Sequence, residues 1–268
     1  PPPIQDHIGA IMVFGAWLGG RHPDRDLLWG GIVQQIKQMV HNGIRIKIDD
    51  TIHERFSVRV QWATFDLPAL ALNCNITQFN GYDACADCKV HGVAIGKQIY
   101  YPYSAQPSPP KTDNDYVIFG RTTNSPKSAL HGVKGSTPLI EILLLPAQIP
   151  KDYMHLVCAE HFKTLINYWN NLFIPDVFDH GSRFLLTVIL PHSFNYQFLP
   201  LTQFYQWKTK MFRDFLLYVS PVFAVIFLPD EVALHFLHYF VFVRTLHFFK
   251  KSINLDAVEQ FFDQYHKN

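Results

Sequence analysis

The residues best suited to chemistry lie close together in Gln78–Gly92. Cys85 and Cys88 stand in a C-x2-C spacing, His91 follows three positions later, and Gly81 and Gly92 mark a turn. Soft thiolates at that spacing reach one Zn2+, each sulfur at ~2.3 Å. A structural zinc takes four ligands, so a further donor must come from elsewhere in the chain. The string Asp152-Tyr153-Met154-His155, at the start of a helical stretch, is the natural place for it. A second candidate is Asp66. It closes an alternating apolar–polar stretch and precedes Leu67-Pro68, so it reads as a strand-end acid or as a helix cap.

The elements that must position these residues can be read from periodicity. Ile8–Trp17 is an apolar run suited to a central strand. Asp24–His41 carries Leu27, Leu28, Ile32, Ile36 and Val40 at helical spacing and stops at Asn42-Gly43. Ile44–Ile48 suits a short strand. Phe56–Phe65 alternates, with Phe56, Val58, Val60 and Trp62 on one face, and leads to Asp66. Leu67–Leu72 reads as a short helix with an early Pro68. From Gln78 to Gly135 regular patterning dissolves, which marks an insertion. Asp152–Phe173, Gln203–Leu228, Asp230–Lys250 and Leu255–Tyr265 read as helices; Thr137–Leu145 is apolar and Phe184–Ile189 ambiguous. The expected division is 1–77, 78–150 and 151–268.

Composition sets the outer bounds. The chain has 268 residues, is 48% hydrophobic and contains 23 Phe, ample material for a packed core. A net charge of +1 argues for neither nucleic acid nor membrane, so any DNA contact must rest on local patches. Four Cys in this length make no disulfide scaffold and suit reduced thiols in a nuclear or cytosolic protein. Phe215–Pro229 is too short to span a bilayer, and Val232–Phe249 carries His235, His238, Arg244 and His247, so both read as core helices and not as membrane segments. The opening Pro1-Pro2-Pro3, without Met, reads as a cut from something longer.

Taken in order, these strings resemble the CACTA-like (CACTA–Mirage–Chapaev) DNA transposases. Gln78–Gly92 resembles that family's Phe-Asn-Gly…Cys-x-x-Cys…His-x-Gly motif, and Asp66-Leu67-Pro68-Ala69 its Asp-x-Pro-Ala string. His131-Gly132-Val133-Lys134-Gly135-Ser136-Thr137-Pro138-Leu139 resembles its Asn-Gly-x-Lys-Gly-x-x-Pro-Leu. Asp152–His155 resembles its Asp-Tyr-Met-His, and Trp207-Lys208 with Phe212-Arg213 and Leu216-Leu217-Tyr218 resembles its Trp-Lys-Ala-x-Glu-Phe-Arg…Leu-Leu-Tyr. The resemblance runs from about Ile8 to Phe249.

The resemblance implies an α/β fold: a partial RNase H-like core, a zinc-binding insertion and a helical C-terminal part. In such enzymes three carboxylates hold two divalent metals for in-line attack on phosphate. The family's second catalytic Asp falls on Asp66. Its first Asp finds no place after Pro1, since Asp6 follows no strand, and its Glu falls on Met211, an apolar side chain that cannot hold Mg2+. Glu160 is the nearest substitute, otherwise a solvated helix residue. The implied zinc ligands are Cys85, Cys88 and His155, with His91 as the fourth. His161 is the alternative, although six positions along a helix turn it away from His155. Such a closed zinc site is structural and not catalytic.

Three functions follow. The chain is a transposon relic, nuclear, zinc-stabilised and unable to cut DNA by itself, with residual DNA binding through Lys89, Lys97, Lys111, Arg121, Lys127 and Lys134, which read equally as solvated surface cations. Or it is an active transposase or nuclease that binds Mg2+ once completed by residues from outside. Or it is a protein-interaction module that keeps the fold for its surface.

Overall fold

Asp24 opens the first helix. Its carboxylate accepts from the Leu27 amide at 2.9 Å, an N-cap, and α1 runs Arg25–Asn42. Gly43 ends it at φ 71°, which glycine adopts without strain, and its N–H closes on the Met39 carbonyl. β1 (Ile44–Ile48) and β2 (Thr51–Phe56) pair antiparallel. The computed structural model describes residues 13–21, 23–48, 51–122, 129–172, 175–249 and 254–267. The chain forms two compact units, Pro1–Lys151 and Asp152–Asn268.

The first unit departs from the sequence reading at its strands. Ile8–Met12, and Asp6 before them, lie outside the described residues, and Val13–Trp17 is irregular, with Val13 and Trp17 exposed. Across Phe56–Phe65 the alternation holds only in the middle: Val58 and Val60 are half-buried and Arg59 and Gln61 exposed, but Phe56 and Trp62, expected on the same face as the valines, are exposed too. β2 stops at Phe56, and 57–64 joins no ladder among the described residues. Gln148 holds this stretch instead. Its Nε2 donates to the Val60 and Gln61 carbonyls at 3.2 and 2.8 Å, and its own carbonyl accepts from Ala63 N at 3.0 Å. Phe65 makes one parallel bridge to Lys151. Alternation says which side chains could share a face, but a strand also needs a neighbour to complete its ladder and cover that face.

Beyond Asp66 the unit consists of short pieces. These are α2 (Leu67–Asn73), the hairpin of β3 (Val93–Ile95) and β4 (Gln98–Tyr100), α3 (Asp113–Thr122) and a 3-10 turn at Pro138–Glu141. One core joins all of these except the hairpin: Leu70, Cys74, Ile76, Ala86, Tyr116, Val133, Leu139, Leu145 and Ile149 are all buried. The segment 78–150 therefore shares its core with the residues before it.

The second unit is helical. A wide π-type segment, Met154–Phe162, leads into α4 (Lys163–Leu172), followed by α5 (Pro175–Thr187). The stretch read as one helix over Gln203–Leu228 is broken. It comprises a 3-10 turn Leu201–Gln206, an extended Trp207, α6 (Thr209–Asp214), a π-type segment Phe215–Val219 and α7 (Ser220–Phe227). α8 (Asp230–Phe248) and α9 (Leu255–Lys267) complete it. Phe162, Ile166, Trp169, Leu201, Phe215, Leu216, Phe223 and Phe236 form its buried centre. Among the described residues no helix is long and apolar enough to cross a membrane.

Candidate metal centre

The strings singled out in the first unit pack against one another. Asp66 is the N-cap of α2: its Oδ1 accepts from Ala69 N at 2.7 Å, and Pro68 occupies the first turn, where its missing N–H costs nothing. After α2 the chain runs alongside His131–Leu139. Lys134 N donates to Asn75 O at 2.9 Å, Thr77 N to Gly132 O at 2.7 Å, and Thr137 Oγ1 to Asn73 O at 2.6 Å. Gly132 sits at φ 83°, and a Cβ there would run into the carbonyl oxygen of Asp83. The glycine is thus what lets the turn before Cys85 approach the 131–139 string.

Cys85 and Cys88 are half-buried on that turn. Their sulfurs lie 3.2 Å apart, and Cys88 N donates to Cys85 Sγ at 3.3 Å. Burial, then the hydrogen bond with Cys85, pushes the Cys88 thiol up from its ordinary value. The other two cysteines are core residues. Burial raises Cys74 to about 12, against the pull of Lys151, and raises Cys158 to about 11.

His91 is exposed. Its Nδ1 lies 2.9 Å from Asp83 Oδ1 and its ring stacks on Tyr82 at 5.3 Å. A carboxylate on Nδ1 fixes the tautomer and leaves Nε2 as the nitrogen that can take a metal. His155, in the second unit, has its Nδ1 2.7 Å from Asp152 Oδ2. Slight burial works to raise the Asp152 carboxyl, but the His155 ring and the His155 and Met154 amides outweigh it and hold it below its ordinary range. His161 is committed elsewhere, with Nε2 2.6 Å from the Tyr265 hydroxyl.

A zinc ion therefore fits the cysteine half of the proposed set: two sulfurs face each other, with an N–H already pointed at one of them. His91, in the same unit, does not join them as a third ligand. Among the described residues no three His, Cys, Asp or Glu side chains converge on a metal position. Asp66 likewise belongs to no group of three such side chains among the described residues. Met211 is buried in the core of the second unit, and Glu160 is exposed. Comparison with family models, curated proteins and solved structures found no match to this chain.

The cations expected to meet DNA divide. Lys97 and Arg121 are exposed, Lys89 pairs with Asp115 at 2.9 Å, Lys134 is half-buried, and Lys127 lies outside the described residues. Lys111 is a correction. It is only 4% exposed, with Nζ 2.5 Å from the Cys85 carbonyl, so it serves the cysteine turn and its buried head is not open to an incoming phosphate. Tyr101 and Tyr116 also hold that turn and were not singled out from sequence. The usable signals were the tyrosine-rich stretch at Tyr100–Tyr103 and the Pro109-Pro110 pair that straightens the chain before Lys111.

Proposed function

We propose that the chain is a transposon-derived module. It resembles the core of a CACTA-like transposase, carries a structural zinc on Cys85 and Cys88, and does not cut DNA by itself. The observation that carries the reading is the cysteine turn, with its sulfurs 3.2 Å apart and the Cys88 amide on Cys85 Sγ. His91, with Nδ1 on Asp83, is the proposed histidine ligand from the same unit. The loss of nuclease activity is supported by the buried Met211 and by the capping role of Asp66. Residual DNA binding, in the nucleus, would be nonspecific and salt-dependent, through exposed cations such as Lys97 and Arg121.

Metal content of the purified chain tests the reading, wild type against a Cys85→Ser/Cys88→Ser double variant. The expected result is zinc in the wild type at one per chain, lost in the double variant. A folded wild-type chain without zinc, and with no uptake on addition, would sink it.

A further inference from the structure

The backbone of Gly81–Ala86 belongs to no helix or strand, so its polar groups need other partners. Three side chains from later in the chain supply them in succession. The Tyr101 hydroxyl accepts from Ala84 N at 2.8 Å and donates to Gly81 O at 2.5 Å, with Tyr82 O at 3.0 Å. Lys111 Nζ donates to Cys85 O at 2.5 Å. The Tyr116 hydroxyl donates to Ala86 O at 2.7 Å. Lys111 arrives there on a strap. Lys89 N donates to Pro109 O at 2.9 Å, Lys111 N to Asp87 O at 2.7 Å, and Cys88 and Pro110 bridge antiparallel. Burying an ammonium is costly unless its donors are used, and the partner found for this one is the carbonyl of a proposed metal ligand. With the carbonyls satisfied from behind, the Cys88 amide is left to point at sulfur.

We infer that Tyr101, Lys111 and Tyr116 hold the Cys85–Cys88 turn in its metal-receiving shape whether or not a metal is bound. The inference rests on reading the cysteine pair as a zinc site. The three are positioning residues, since they touch ligand backbone and not the metal. Small zinc domains without such support are unfolded until the metal arrives. Here the turn is anchored to a formed core through Ala86 and Tyr116, both buried. The metal then binds a preformed turn, and chelation removes it without unfolding the unit.

The test uses the full chain stripped with EDTA, comparing wild type, Tyr101→Phe and Lys111→Met. Amide hydrogen exchange is read at Ala84, Cys88 and Lys89, followed by titration with Co2+ as the probe metal. In the metal-free wild type these amides are protected. In each variant they exchange about tenfold faster, the equivalent of one lost hydrogen bond. Co2+ affinity falls by a similar factor while the thiolate-to-cobalt charge-transfer band keeps its shape, a result that general loss of stability would not give. Tyr101→Phe removes a single oxygen and keeps the test open should Lys111→Met fail to fold. Two results overturn the inference: turn amides that are unprotected in the metal-free wild type and protected only after Co2+, or variants that match wild type in both readouts. If the wild type takes up no Co2+, the zinc reading falls, and exchange in the metal-free chain alone decides. Protection lost in the variants then upholds the scaffold, and unchanged protection overturns it.

Discussion

Residues Asp152–Asn268 bury rings against rings. Trp169 meets Phe236 edge-on at 5.0 Å, Phe215 packs against Trp207 at 5.3 Å, and Phe162 lies against Trp169, Phe215 and Phe236. Its buried carboxylate, Asp214, is taken up by the Tyr196 hydroxyl at 2.5 Å and Arg213 Nε at 2.7 Å. Residues Pro1–Lys151 have a smaller, mostly aliphatic core, and much of their chain is held by single side chains that each satisfy a backbone group, as Gln148, Thr137 and Tyr101 do. Ring burial is strong and its pairs keep preferred geometries, but it fixes no polar atom. Hydrogen bonds to named backbone atoms are individually modest but fix geometry. A polar site needs the second kind of order, and the cysteine pair lies in the unit that has it.

The difference can be broken most sharply in the second unit. Phe162 is fully buried, and Phe162→Ala removes ring contacts on several sides. The expected cost is about 3–5 kcal/mol, measured as a fall in the urea midpoint at unchanged slope. A cost near 1 kcal/mol would mean that the rings repack and the centre is not a fixed array. In the first unit the corresponding weak point is geometric. Gly132→Ala would force a side chain into φ 83° and into the Asp83 carbonyl. A loss of about 1–3 kcal/mol is expected, together with loss of metal uptake, because the turn before Cys85 is displaced. Neutral behaviour would mean that the 131–139 string does not hold that turn.

Asp66→Ala separates two roles of one residue. As the cap of α2 it should cost about 0.5–2 kcal/mol, and Asp66→Asn or Asp66→Ser should restore most of it. A catalytic carboxylate would instead show Mg2+-dependent nicking of DNA that every one of these variants abolishes. Nicking by the wild-type chain would overturn the inactive reading outright.

The pattern of success from sequence follows the same division. α1, β1, α8 and α9 were legible because helical spacing and a short bounded apolar run are local signals. The Cys85–Cys88 pair was legible because spacing alone brings two thiols together. The reading over Phe56–Phe65 failed because alternation does not say whether a ladder partner exists. The continuous helix over Gln203–Leu228 failed because apolar content continues through Trp207, whose φ/ψ of −65°/135° is extended. Lys111 was the deepest miss. A lysine reads as surface by type, and only the carbonyl across the strap, 26 positions back, explains its burial.

The smallest expected effect is one the two units share. Each hides one thiol in its core, Cys74 raised to about 12 and Cys158 to about 11, both by burial. The unfolded chain releases such protons near pH ~8.5. The folded chain keeps them to higher pH, so this part of the stability is full below the unfolded value and declines as pH rises through 9 and above. The urea midpoint should therefore hold level from neutral pH and fall on the alkaline side, with Cys158→Ala and Cys74→Ala each flattening part of that fall. In the metal-free native chain a maleimide should label Cys85 and Cys88, which are half-buried, and reach Cys74 and Cys158 only in denaturant. Labelling of Cys74 at the rate of Cys85 in the native chain would show that the core beneath the turn opens readily. The first unit would then lack the rigid support that a preformed metal turn requires.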